Sequence, residues 1–207
     1  MTQPLCFLNG EMVPIVSASL PISDLGFIHG VTVTEQMRTL GGKPFLLPEH
    51  VRRFQSGLDL LKIQLDKSTS DVGEIVDSVA SQFLNQSDNV DCGIGFFASP
   101  GSTGRFGQPA TKSLFCVYAY ELPSGEWNDF YRSGCSLKVS EIKDVDSQSW
   151  PKHVKIRSRL HYYLADIYLN DLEGRESEPV KRHNARGMSG FDKTRTCSAS
   201  LTPIGRL

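Results

Sequence analysis

Lys155 stands where a lysine is awkward. In the stretch PKHVKIRSRLHYYLADIYLND, residues 151–171, Leu160, Leu164 and Ile167 fall at i, i+4 and i+7, which predicts a helix from about Ser158 to Asp171. Lys155 precedes that helix, at the end where exposed N–H groups already carry partial positive charge, so helix stability does not account for it. An amine that is neutral often enough is a nucleophile, and a neighbouring cation favours the neutral form; Arg157 and Arg159 are such cations. On these residues alone a solvated surface position, the usual fate of a lysine, is the leading reading. Three further places could carry chemistry. Arg53, in EHVRRF, adjoins Phe54 and so borders the apolar side of its segment, whereas Arg52 faces water. Glu35 and Arg38 share one strand-like stretch, where they could equally form a structural pair on a sheet. Arg105 lies in the loop SPGSTGRFGQPATK, too rich in Gly and Pro to be helical.

The elements that must position these residues are legible in outline. CFLNGEMVPI holds Asn9-Gly10 between two apolar stretches, a hairpin signal because both residues tolerate positive φ. VTVTEQMRTL alternates, with Val31 and Val33 on one face and Thr32 and Thr34 on the other, until GGKP breaks it and a hairpin leads into FLL. Pro48 suits a first helical turn, and Val51, Phe54, Leu58 and Leu61 follow at helical spacing. A second helix is expected near SDVGE, with Asp71 and Glu74 as a capping pair and Val72, Ile75, Val76, Val79 and Phe83 as its apolar stripe. CGIGFFA and SLFCVYAY read as strands, as does SLKVSEI beyond a linker at 121–132.

Composition narrows the function classes. A chain of 207 residues can bury a substantial core, and a net charge of -1 gives no broad electrostatic case for nucleic acid or an anionic membrane. No apolar run is long enough to span a bilayer, and MTQPLCFLNG lacks the features of a secretory signal. The five cysteines, Cys6, Cys92, Cys116, Cys135 and Cys197, are scattered without metal-ligand spacing, so reduced thiols in a cytoplasmic protein and no metal site are expected.

The segments SDLGFIHGVTVTEQMRT, LPEHVRRF, GSTGRFG and KIRSRL occur in the order, and at about the separations, found in class IV, fold-type IV pyridoxal-phosphate enzymes. From Leu8 to Asp171 the chain resembles that family, which includes branched-chain aminotransferases, D-amino-acid aminotransferases and aminodeoxychorismate lyases. The resemblance implies an α/β (α+β) fold, with a small N-terminal α/β domain over 1–120, the linker at 121–132, and the start of a second, barrel-like α/β domain over 133–172 that bears the cofactor lysine. It implies pyridoxal 5'-phosphate as cofactor, an amino acid and a 2-oxo acid as substrates, and a homodimer. Lys155 corresponds to the lysine that forms the Schiff base and then carries protons between substrate and cofactor. Arg53 corresponds to the arginine that grips the cofactor phosphate, a task suited to the planar fork of a guanidinium. Arg105 aligns with a carboxylate-trapping arginine of the D-amino-acid branch, although Gly107 stands where that branch has a histidine and Thr34 where it has a pocket tyrosine. Thr34 and Arg38 are accordingly expected on the substrate side. His29 before Gly30 echoes the branched-chain pattern, and KIRSRL keeps the lyase spacing but has Ser158 where Asn is common.

Beyond Glu173 the texture changes. EGRESEPVKRHNARGMSGFDKTRTCSASLTPIGRL has few apolar residues and no period, so a disordered tail is expected over 173–207. The family's glutamate for the pyridine nitrogen, whose task is to keep the ring an electron sink, has no counterpart after Asp171. The chain is expected to be truncated at its C-terminal side, through a frameshift or an early stop. Two alternatives to an aminotransferase follow: an aminodeoxychorismate lyase, and an inactive fragment that survives as a folded or binding domain.

Overall fold

The computed structural model describes residues 4–104, 110–133, 142–143, 146, 148–149, 151 and 154–173. The strand expected at SLKVSEI, Arg105 and the tail beyond 173 lie outside them, Ile142 of that strand excepted. The chain divides into two compact units, Met1–Leu122 with Pro151–Ser158, and Pro123–Trp150 with Arg159–Leu207.

The first unit is built on a six-stranded antiparallel sheet in the order β2-β1-β6-β5-β3-β4. Strands β1 (Leu5–Leu8) and β2 (Glu11–Pro14) form the expected hairpin, with Asn9 at φ 52° and Gly10 at φ 106° making the two-residue turn. After a short helix, α1 (Leu25–Ile28), β3 (Val33–Leu40) turns through Gly41-Gly42 into β4 (Lys43–Pro44). The FLL stretch does not continue that strand. Leu46 adopts a left-handed conformation, φ 53°, and α2 (Leu47–Leu61) starts immediately with Pro in its first turn.

Helix α3 (Thr69–Leu84) begins earlier than the sequence suggests, because its capping box is Ser68 with Asp71 rather than Asp71 with Glu74. The Asp71 N–H donates to Ser68 Oγ at 3.2 Å, and the Ser68 N–H donates to Asp71 Oδ2 at 2.8 Å. Strands β5 (Cys92–Ser99) and β6 (Leu114–Glu121) complete the sheet.

Both long helices cover one sheet face. Val51, Phe54 and Leu58 of α2, and Val72, Val76 and Val79 of α3, are buried against Val33, Met37, Ile94, Phe96 and Val117. Each such side chain contributes about 1.5–3 kcal/mol by leaving water, and Phe54 adds an edge-to-face contact with Phe96 at 5.0 Å. A smaller cluster of Phe97, Leu114 and Cys116 lies on the opposite face. Cys6, Cys92 and Cys116 are buried free thiols.

In the second unit, most of the segment read as a linker, 121–132, falls in helix α4 (Ser124–Ser133). Pro123 precedes this helix instead of breaking it, and its carbonyl accepts the Trp127 N–H at 3.1 Å. Helix α5 (Leu160–Glu173) starts two residues later than its apolar spacing suggests, since the chain before it is held extended by main-chain bonds to β3. Among the described residues no helix is long and apolar enough to cross a membrane.

Candidate functional site

Alternation along β3 decides which of its side chains meet. Val33, Glu35 and Met37 point toward the helices, and Thr34, Gln36 and Arg38 point away. Glu35 therefore enters the apolar layer, where its side chain is 0% exposed. An isolated buried carboxylate would be prohibitively costly, and α2 supplies the compensation. His50 and Arg53, three residues apart, share a helical face turned toward β3. Arg53 Nε donates to Glu35 Oε1 at 2.6 Å and Arg53 Nη2 to Oε2 at 2.5 Å, a fork on both oxygens. His50 Nδ1 is 2.9 Å from Oε2. An ionised carboxylate only accepts, so this nitrogen carries the hydrogen.

Lys155 arrives from far along the chain. Val154 is buried, the Lys155 carbonyl accepts the Thr34 N–H at 2.9 Å, and the Arg157 N–H donates to the Thr32 carbonyl at 3.3 Å. With the bridge between Val33 and Ile156, these bonds add a short strand to the free edge of β3. The Lys155 side chain is 14% exposed, and its Nζ lies 3.9 Å from Glu35 Oε2. Glu35 is thus a hub for three basic groups. Burial alone would raise its pKa; the hydrogen bonds from Arg53 and His50, and the charges of Lys155 and Arg53, outweigh burial and hold it below the usual glutamate value. Arg53 is shifted up, chiefly by its bond to Glu35.

Lys155 and Arg53, singled out in the sequence, thus meet at one carboxylate. Arg157, expected as a cation acting on Lys155, instead stacks on Phe97. Thr34 is buried on the other sheet face and donates from Oγ1 to the Phe96 carbonyl at 3.3 Å. Arg38 shares that face, with Nη2 3.9 Å from Asp91 Oδ2 and Nε donating to the Thr39 carbonyl. A structural pair of Glu35 with Arg38 is excluded, because three residues along a strand point to opposite faces. Arg105 lies outside the described residues. His50 was not singled out from the sequence, although its i, i+3 spacing to Arg53 on a predicted helix was the available signal. Among the described residues no group of His, Cys, Asp and Glu could hold a metal ion.

The sequence matches the family Amino-transferase class IV over residues 32–177. Aminodeoxychorismate lyase from Bacillus subtilis (strain 168) is 32% identical over 164 residues, 79% of this chain and 53% of the relative. D-alanine aminotransferase from a Staphylococcus epidermidis strain is 27% identical over 125 residues, 58% of this chain and 43% of the relative. Among solved structures, a T.th. branched-chain amino acid aminotransferase with pyridoxamine 5'-phosphate superposes with a TM-score of 0.67 at 21% identity, over 81% of this chain and 56% of that one. The Escherichia coli branched-chain amino acid aminotransferase gives 0.66 at 16% identity, over 85% and 58%. The chain spans about half the length of the curated relatives it matches.

Proposed function

Because the chain belongs to the class IV aminotransferase family, we propose that it binds pyridoxal 5'-phosphate and transfers an amino group between an amino acid and a 2-oxo acid, of branched-chain or D-amino-acid type. The observation that carries this reading is the convergence of Arg53 and Lys155 on the buried Glu35 carboxylate. The residues suit the cofactor chemically. Glu35 takes Nε and Nη2 of Arg53, while Nη1 has no partner among the described residues and the side chain is 47% exposed. A phosphate can therefore be met on the outward edge of a guanidinium already fixed from behind.

Pyridoxal phosphate, when bound, supplies an aldehyde and an electron-withdrawing ring. Each residue of the cluster then has a task. Arg53 anchors the phosphate, Glu35 orients Arg53, and His50 holds Glu35 from the other side. Lys155 would hold the cofactor through its amine, and its Nζ, when free and neutral, would accept a proton from the substrate's α-carbon. The proposal includes a cytoplasmic homodimer. A lyase acting on aminodeoxychorismate is a second reading, favoured by the 32% identity over 79% of the chain to the Bacillus subtilis lyase.

The test is a visible spectrum of the purified chain with pyridoxal phosphate, followed by borohydride reduction and peptide mapping. We expect a new absorbance band, cofactor fixed on Lys155, and loss of both in Lys155→Ala. Labelling spread over surface lysines and unchanged in that variant would overturn the proposal and leave a folded domain without the chemistry. A screen of D-amino acids, branched-chain L-amino acids and aminodeoxychorismate would then separate the transferase from the lyase.

A further inference from the structure

Arg157 is an exposed cation with a fixed seat. Its Cζ lies 4.1 Å from the centroid of the Phe97 ring, and its main-chain N–H is held by Thr32. No carboxylate among the described residues pairs with it. The Cys116 thiol cannot neutralise it either, since burial pushes that thiol up to about 12 and leaves it uncharged at neutral pH. A guanidinium lying over an aromatic ring uses its flat face for the stack and keeps its in-plane N–H donors for an anion.

The seat is tied to Lys155 through the main chain. Phe97 is the cross-strand partner of Thr34, and the Thr34 N–H is held by the Lys155 carbonyl. Two residues of extended chain place the α-carbons of Lys155 and Arg157 about 7 Å apart. Residues two apart on an extended chain also project to one face, here the face of Thr34 and Phe97, so an acid group held by Arg157 brings a substrate's reacting carbon to the lysine from that face once Nζ turns from Glu35. Thr34 has committed its hydroxyl hydrogen to the Phe96 carbonyl, so it offers no outward donor to a carboxylate. We infer that Arg157 binds the carboxylate of the amino-acid and 2-oxo-acid substrates, a role that rests on the function proposed above.

The test uses the full chain loaded with pyridoxal phosphate, with 2-oxobutyrate as probe and butanone, which lacks the acid group, as control. Phenylglyoxal modification followed by mass mapping should show Arg157 protected several-fold by 2-oxobutyrate and not by butanone, with Arg159 unaffected. Titration of the visible band should give about tenfold weaker 2-oxobutyrate binding in Arg157→Met, as expected for loss of a charge-assisted hydrogen bond, and an intermediate value in Arg157→Lys. Borohydride fixation on Lys155 should be equal in all three proteins. Unprotected Arg157, or wild-type affinity in Arg157→Met while fixation is intact, overturns the carboxylate role alone, as does a loss of affinity confined to Arg105→Ala. Failure of fixation in the wild type removes the proposed function and this inference together.

Discussion

Glu35 is the residue through which the cluster answers to pH. Its folded pKa is depressed: burial opposes ionisation, but Arg53, His50 and Lys155 together outweigh it. The ionised form therefore contributes stability above the unfolded value of about 4.3, and that contribution is lost as pH falls through the lower folded value. Glu35→Gln keeps the shape but sets an amide donor against a ring of donors. Removing one partner of a buried ion pair costs about 3–5 kcal/mol. Arg53 is 47% exposed and can be rehydrated, so we expect about 2–3 kcal/mol at pH 7. Thermal melts should show the gap between wild type and Glu35→Gln narrowing over the window below the unfolded glutamate value of about 4.3, as pH falls through the lower folded value. A gap constant across that window would mean that the carboxylate's charge contributes no stability. His50→Gln, which can still donate one hydrogen bond to Glu35, should cost less than Glu35→Gln in the same melts.

At the scale of elements, the site depends on how closely α2 approaches β3. A Cβ built on Gly57 would meet Val33 Cγ1 at 2.7 Å and Cγ2 at 3.3 Å, and Val33 is a fully buried, β-branched side chain with little freedom to turn. Gly73, in α3, would bring its Cβ only to ordinary contact with Leu47 Cδ2 at 3.9 Å. The same substitution should therefore have opposite signs. Gly73→Ala should stabilise by about 0.5–1 kcal/mol through helix propensity. Gly57→Ala should lose that gain to overpacking of about 1–3 kcal/mol. Because Arg53 lies one turn before Gly57, the latter change should also weaken pyridoxal phosphate retention. Denaturant midpoints that move in the same direction for both would refute this account of the contact. Such close approach explains what was legible in the sequence and what was not. The apolar spacing of α2 and the alternation of β3 reveal each element and its buried face, since both periods follow from backbone geometry. They do not reveal that Glu35 of one lies opposite His50 and Arg53 of the other, because that pairing depends on register between elements. For the same reason, Lys155, Arg53 and Glu35 each stood out in the sequence, whereas the joining of the first two by the carboxylate of the third did not.

At the scale of the whole molecule, the lysine reaches the sheet only after the chain has passed through a different unit. Residues Pro151–Ser158 belong with the sheet, although Pro123–Trp150 on one side and Arg159–Leu207 on the other do not. The return is held by two main-chain bonds, Thr34 N–H to the Lys155 carbonyl and Arg157 N–H to the Thr32 carbonyl, by the Val33–Ile156 bridge and by burial of Val154. Such a short attachment should open more readily than the central strands, where β5 is bonded along its length on both sides. A ligand that bonds both Arg53 and Lys155 joins the returning segment to α2 and should stabilise the closed form in proportion to its concentration over its Kd. In hydrogen exchange, the amides of Thr34 and Arg157 should exchange faster than those of Ile94 and Phe96 in the free protein. On addition of pyridoxal phosphate they should slow by about tenfold or more, while the β5 amides change little. The slowing should vanish in Lys155→Ala, which retains the Arg53 phosphate contact but not the link between segments. Equal protection of Thr34 and Arg157 with and without cofactor, in a protein that borohydride shows to be loaded at Lys155, would mean that the segment is already docked and that the cofactor site is preformed by the fold alone.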